Sequence, residues 1–276
     1  MSRVLIVNAD DYGLTPGVSA GILEAHRHGI VTSTSVLALA PAFEESAPAL
    51  RGCAGIGIGV HLAAVGEDPP LLPASRVPSL VGEGGAFPAT WRAFLFRAAR
   101  VRTSELEAEF SAQIERVKGA GLAVDHLDAH QHLHLLPRVR EVVLHLARRF
   151  SISAIRVPRA GSRRLPGIGV RLLARGLARH AARAGIAYPE ATEGFDDSGA
   201  MRTDRFRRAL LRIAASGARS AEIFVHPGEA ADPARDRYRW GYDWSGELAA
   251  LLDPGTREAV ARAGFRLGTF RDVVRP

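Results

Sequence analysis

The sequence predicts an α/β fold, a deformed, TIM-like (β/α) barrel of parallel strands. Short β-branched runs alternate with longer amphipathic segments along the chain, and its 276 residues suit one large core. Residues able to bind a metal recur where the predicted strands end. Strand–helix alternation implies parallel pairing with right-handed crossovers. An open doubly wound sheet is the competing arrangement. Gly and Pro are spread out rather than gathered into a linker, so a single domain over residues 1–276 is expected.

Residues 4–7 form the first predicted strand. Thr15 then caps a helix with Pro16 at its first position, which runs to about His28, before Gly29. Strands follow at 31–39 and 55–62 (GIGIGVHL). Residues 64–88 are rich in Pro and Gly and form an insertion loop, of the kind that serves as a lid or stays disordered. Helices are expected near 88–99 and at 104–118, the second opened by a capping box of Ser104 and Glu107. A strand at 124–128, a helix from 137 to about 149 and a strand at 154–157 come next. An arginine-rich helix at 167–184, a helix at 203–215, a strand at 221–225, a helix at 254–263 and a strand at 266–270 complete the chain.

The formal charge is +7, and Lys118 is the only lysine among 36 basic residues. Arginine stays protonated in proteins, so lysine chemistry would rest on Lys118 alone, late in a predicted surface helix. The arginines are dispersed and no nucleic-acid-binding signature accompanies them, so no nucleic-acid partner is expected. Peripheral membrane contact through a basic face stays open if the substrate is a lipid-linked sugar. Cys53 is the only cysteine, which excludes an intramolecular disulfide and a multi-thiolate zinc site. There is no signal-peptide pattern, and no stretch approaches the roughly 20 apolar residues that span a bilayer, so the expected compartment is cytoplasmic.

Asp10 and Asp11 follow the first strand, and His61 ends the third. Asp128, His130, His132 and His134 follow the strand at 124–128, Arg156 ends the next, and His226 ends the strand at 221–225. In a parallel barrel these strand ends open onto one rim, where active sites form. Adjacent carboxylates on an extended segment face different ways, so one can bind a metal while the other addresses a water. The segment HLDAHQHLH (126–134) is poor core and poor helix material; which of its histidines bind metal and which line the pocket is open. Tyr12, Trp91, Tyr238, Trp240, Tyr242 and Trp244 are candidates for stacking on a sugar, or else buried or lid aromatics. The competing enzyme class is a metal-dependent phosphoesterase or amidohydrolase-like enzyme using a His-x-His pair. Such enzymes usually carry that pair on the first strand, which here bears only Asp10 and Asp11.

NADDYGLTPGVSAGILEAHRHGIVTSTS (8–35), GVHL (59–62), HLDAHQHLHLLP (126–137) and VHPG (225–228) resemble the YdjC-like carbohydrate deacetylase family, which includes chitooligosaccharide deacetylase and deacetylases linked to hopanoid sugar modification. RWGYDWSGELAALLDP (239–254) and FRLGTFRDV (265–273) fit the same resemblance. It implies a deformed barrel related to polysaccharide deacetylases, a homodimer, an N-acetylated sugar substrate and release of acetate. It also implies one divalent metal ion, Zn2+ or Mg2+, with other first-row metals open. Carried over by position, Asp11, His61 and His130 would be the metal ligands, Asp10 the catalytic base and His226 the acid near the leaving amine. Arg156-Val157-Pro158 resembles an Arg-x-Pro element whose arginine orients the base. The broader deacetylase group takes both metal histidines from one His-x3-His element, a spacing that His130 and His134 share. Were His134 the ligand, His61 would be a pocket residue.

Overall fold

A computed structural model describes residues 3–161 and 165–273. All strand pairs are parallel. β1 (Arg3–Tyr12) is the longest strand and is buried along nearly its whole length. It runs between β2 (Ser33–Val36) and β7 (Ser220–Val225). From β2 the sheet continues through β3 (Gly57–Leu62) and β4 (Val124–Ala129) to β5 (Ala154–Ile155). Beyond β7 lies β6 (Ala191–Glu193). β8 (Phe265–Leu267) pairs with the first residues of β1, and β2 with its later ones.

The two edges of this sheet curl toward each other. Ala187 bridges to Ala154, with Ile155 N donating to Ala187 O at 2.9 Å and Ala187 N to Ser153 O at 2.9 Å. The chain then runs directly into β6 on the other edge. The result is the deformed barrel expected, and strands covered on both faces read as apolar runs such as VLIV in β1.

α1 (Pro16–Arg27) has Pro16 at its first position, and the Thr15 hydroxyl accepts from Val18 N at 3.2 Å. α5 (Pro137–Arg149) and α7 (Thr203–Ala215) coincide with the predicted helices. α6 (Leu165–Arg183) and α9 (Pro254–Arg262) differ from theirs by a residue or two. α3 (Trp91–Arg97) is shorter than expected, as are β2, β5 and β8. α2 (Phe43–Arg51), α8 (Trp244–Leu252) and β6 have no counterpart in the sequence reading.

α4 (Thr103–Gly119) does not start on the predicted capping box. Its N-cap is Arg102, whose side chain makes no cap hydrogen bond, and Ser104 lies inside the first turn. Arg102 N donates instead to Ser79 Oγ at 3.0 Å, while Glu107 pairs with His145 and Arg149. The partners come from outside the helix, which local spacing does not reveal.

The 64–88 segment is packed against the rest of the molecule. Val65, Val77, Leu80, Val81 and Phe87 are buried in the main core. α4 straps it down: Leu71 N and Leu72 N donate to the two oxygens of buried Glu109, and Ser79 N donates to Glu105 Oε2. No helix among the described residues is long and apolar enough to cross a membrane.

Candidate active site

Arg156, just past β5, is fully buried inside the barrel. Its guanidinium forks onto Asp10, with Nη1 donating to Oδ2 at 2.7 Å and Nη2 to Oδ1 at 2.6 Å. Nη1 also lies 2.6 Å from Asp128 Oδ2, and Nε donates to Glu222 Oε1 at 2.7 Å. Three strands thus send carboxylates to one cation, each bond charge-assisted. Asn8 Nδ2 donates to Asp10 Oδ1 at 2.7 Å and to Ser35 Oγ, which in turn donates to Asp128 Oδ2.

Asp11 has φ +71°, in the left-handed region that non-glycine residues rarely occupy. The β1–β2 register shifts between Ala9 and Tyr12, so Asp11 sits on a bulge. The adjacent carboxylates therefore do not point apart, as alternation along a strand expects. Both bring an oxygen within 4.8 Å of a ring nitrogen of His61. Strain of this kind persists where surrounding structure enforces it and gathers at functional sites.

The Asp11 carboxylate faces two imidazoles. Its Oδ1 lies 3.6 Å from His61 Nε2 and 3.6 Å from His130 Nδ1. That oxygen is buried and has no hydrogen-bond partner among the described residues. The spacing suits donors sharing one ion at ~2.1 Å each, and the chemistry of the set suits a divalent metal. His61 Nδ1 meets Asp128 Oδ1 at 2.9 Å, which leaves Nε2 turned toward Asp11, the carboxylate–histidine support that commonly orients metal ligands. Burial opposes charge on His61, but Asp128, Asp10 and Asp11 outweigh it and push the imidazole up to about 9. Burial likewise raises Asp11, yet His130, His61 and His226 hold it below the ordinary carboxylate range.

The other histidines of the cluster take different places. His134 is buried, with Nε2 on the Arg156 carbonyl at 3.1 Å, and burial holds it down to about 4. His132 stacks on Phe195 at 5.0 Å and packs edgewise on Phe224; burial, Arg156 and His134 keep it neutral well below its usual range. His126 is bonded to Asp125 and stacked on Phe270. His134 is not grouped with Asp11 and His61 as His130 is; past the turn through Gln131 and His132, both at positive φ, its Nε2 is on the Arg156 carbonyl.

His226, one residue past β7, has Nε2 3.9 Å from Asp10 Oδ2 and Nδ1 4.0 Å from Glu247 Oε2. Its backbone N–H donates to the same Glu247 oxygen. Burial raises Glu247 against the pull of His226. Tyr238, Trp240, Tyr242 and Trp244 form a ladder with neighbouring centroids 5.3–5.9 Å apart. Tyr242 lies 4.8 Å from His226 and Trp240 5.2 Å from His130. The ladder is tied to the 64–88 segment by Tyr238 on Asp68 and Trp240 on Glu67. Of the other two aromatic candidates, Tyr12 is fully buried with its hydroxyl on Ser46 O, and Trp91 opens α3 with an exposed side chain.

All six sequence-predicted site residues, Asp10, Asp11, His61, His130, Arg156 and His226, thus meet at one end of the barrel. Sequence reasoning gave no role to Asp128 and did not single out Asn8, Ser35, Glu222 or Glu247. A signal existed for two of them: Asn8 in β1 and Glu222 in AEIFV are polar side chains inside buried strands, where such groups survive only when partnered.

Fold and site together define a parallel α/β barrel protein with a candidate mononuclear metal centre. The chain belongs to the YdjC-like family, whose model, described as YdjC-like protein, matches residues 4–262. It is 33% identical over 272 residues to a carbohydrate deacetylase of Geobacillus stearothermophilus, covering 99% of this chain and 98% of that one. It is 33% identical over 275 residues to a chitooligosaccharide deacetylase of Klebsiella pneumoniae (strain 342), covering 99% and 100%. A solved structure from Enterococcus faecalis V583, provisionally described as a cellobiose-phosphate cleavage protein, superposes with a TM-score of 0.84 at 29% identity, covering 100% of both chains.

Proposed function

We propose that this protein is a metal-dependent carbohydrate N-deacetylase that hydrolyses the acetamide of an N-acetylglucosamine-type sugar and releases acetate. One observation carries the reading: the unpartnered, buried Asp11 Oδ1 faces His61 and His130 beside a carboxylate gripped by Arg156. The relatives' names add the substrate class.

Asp11, His61 and His130 would hold a divalent cation, which would supply Lewis acidity toward an acetyl carbonyl and lower the pKa of a water. Asp10 is the base for the attacking water, with Arg156 and Asn8 fixing the plane of its carboxylate. His226, whose Nε2 lies 3.9 Å from Asp10 Oδ2, is the acid of this reading and protonates the leaving amine. Glu247 anchors His226 through its backbone N–H. Trp240 and Tyr242 offer ring faces to the sugar at the mouth of the site.

The second candidate trio, Asp10, His61 and Asp128, is not a second metal site in this reading. Arg156 Nη1 already occupies the space between Asp10 and Asp128 as their cation, which disfavours a binuclear phosphoesterase or amidohydrolase. Two imidazole donors favour Zn2+ or another nitrogen-binding first-row metal over Mg2+. The proposal includes a homodimeric state in the cytoplasm, on the family resemblance, and sedimentation of the purified protein tests the assembly.

Acetate release from a panel of N-acetylated sugars, after reconstitution with one metal at a time, tests the activity. Near one metal per chain and acetate from at least one sugar are expected. Asp10→Asn should keep the metal and lose activity by roughly 100- to 10,000-fold, the usual worth of a general base. Full activity in Asp10→Asn would remove the base from the mechanism.

A further inference from the structure

His126 precedes Asp128 by two residues on β4, so the two side chains share one face of the strand, with His126 deeper in the barrel. It is fully buried. Gly59 on β3 makes room for it, since a Cβ there would collide with the imidazole. The ring is fixed by three partners. Nδ1 meets Asp125 Oδ1 at 2.7 Å, Phe270 stacks on the ring at 3.8 Å with 13° between the planes, and Nε2 lies 3.2 Å from Ser35 Oγ. Asp125 is itself held by Arg271, whose Nε donates to its Oδ2 at 2.8 Å.

Ser35 on β2, also fully buried, stands between this ring and the site. A serine hydroxyl has one proton and two lone pairs. Here the proton goes to Asp128 Oδ2 at 3.0 Å, and Asn8 Nδ2 donates to one lone pair at 2.9 Å. His126 Nε2 faces the oxygen as a third neighbour. From this oxygen two short paths lead to the site. Asp128 continues through its Oδ1 to His61 Nδ1, and Asn8 continues to Asp10 Oδ1. One hydroxyl thus joins the support of the proposed metal ligand to the support of the proposed base. It stands one bond from Cβ, so the β2 backbone sets its place within narrow limits.

We propose that Ser35 is a positioning residue, seated on His126, that fixes Asp10 and His61 relative to each other. The proposal rests on the deacetylase reading for the role of Asp10, and on the metal site alone for that of His61.

The test compares wild type with Ser35→Ala and Ser35→Cys. Chelator competition reads Zn2+ affinity, acetate release from N-acetylglucosamine and its β-1,4-linked dimer reads kcat and KM, and urea unfolding reads the fold. Cysteine fills the hydroxyl's space, but its thiol is only a weak donor and acceptor. Both variants should bind Zn2+ at least about 3-fold more weakly and lose about 10- to 100-fold in kcat, the scale usual for groups that orient metal ligands. KM should stay within about twofold, because a fully buried side chain touches no sugar. Cooperative urea unfolding then assigns these losses to folded protein. If Ser35→Ala does not fold, Ser35→Cys carries the comparison. Wild-type Zn2+ affinity and kcat in Ser35→Ala overturn the proposal. Recovery of both in Ser35→Cys overturns it too, since the side chain would then only fill space. Weakened Zn2+ binding in the variants, with no acetate from wild type on either sugar, would sink the deacetylase reading and keep the link to His61. Acetate from wild type with unaltered variants would sink the role of Ser35 alone.

Discussion

Asp128 shows how far a single residue's role depends on what it touches. One oxygen holds His61 Nδ1 and the other meets Arg156, so it couples a proposed metal ligand to the clamp on the proposed base. Burial raises its pKa, but Arg156, His61 and His126 hold its carboxyl far below the ordinary range, so it stays ionised and continues to fix the ring. Asp128→Asn should therefore keep the fold and weaken metal affinity by about 10- to 100-fold, the usual cost of losing such support. A competition titration against a chelator measures it, and unchanged affinity would mean that His61 needs no orientation. That the six proposed site residues share one region was legible because chelating and charged types fall at strand ends, whereas their separate roles came only from the family resemblance. Asp128 lay in the same cluster, yet its task was hidden, since sequence order says nothing about which ring nitrogen a carboxylate meets. The convergence of Asp10 and Asp11 was hidden too, because it requires a left-handed φ at Asp11 that no local sequence pattern demands.

At the scale of elements, legibility followed local signals. α1, α5 and α7 were readable from Thr15–Pro16, from Pro137 and from clean amphipathic spacing. α2 was not, since Pro48 sits inside its nine residues and tertiary packing of Phe43, Ala47 and Leu50 overrides the break. β6 was not, because three residues make a strand only where β7 offers a ladder. The 64–88 segment is the sharpest case: composition suggested a lid or a disordered insertion and gave no sign that α4 turns Glu109 inward to accept two of its backbone N–H groups. Glu109 also accepts from Gln113 Nε2, so the carboxylate is spent within the strap. Glu109→Ala would leave the Leu71 and Leu72 amides without their acceptor. A loss of about 2–4 kcal/mol is expected, from two hydrogen bonds to a charged group with partly buried donors left over. Urea unfolding gives the loss, and limited proteolysis should cut first within 64–88. Cleavage elsewhere first would show that the segment is held by its apolar residues alone.

Across the whole molecule, the barrel encloses more negative than positive charge. Asp10, Asp128 and Glu222 converge on a single guanidinium while Asp11 lies beside His61 and His130, and the raised pKa of His61 is the protein's own partial answer. Glu222 is another part of that answer. Burial, with Asp10 and Asp128 nearby, outweighs the pull of Arg156 and pushes it up to about 7, and its Oε2 has no partner among the described residues. The sign follows directly. The folded chain holds this proton more tightly than the unfolded chain, where the ordinary value is 4.5. The contribution to stability is complete below 4.5 and is lost as pH rises to about 7. A shift of that size corresponds to about 3 kcal/mol. Glu222→Gln removes the titration while its amide oxygen can still accept from Arg156 Nε. In metal-free protein, wild type should lose stability relative to Glu222→Gln between pH 5 and pH 8, by an amount approaching that figure. Urea unfolding of both proteins at the two pH values supplies the measurement, and the variant comparison cancels the titrating groups remote from Glu222. Parallel behaviour would place the shared proton elsewhere in the cluster.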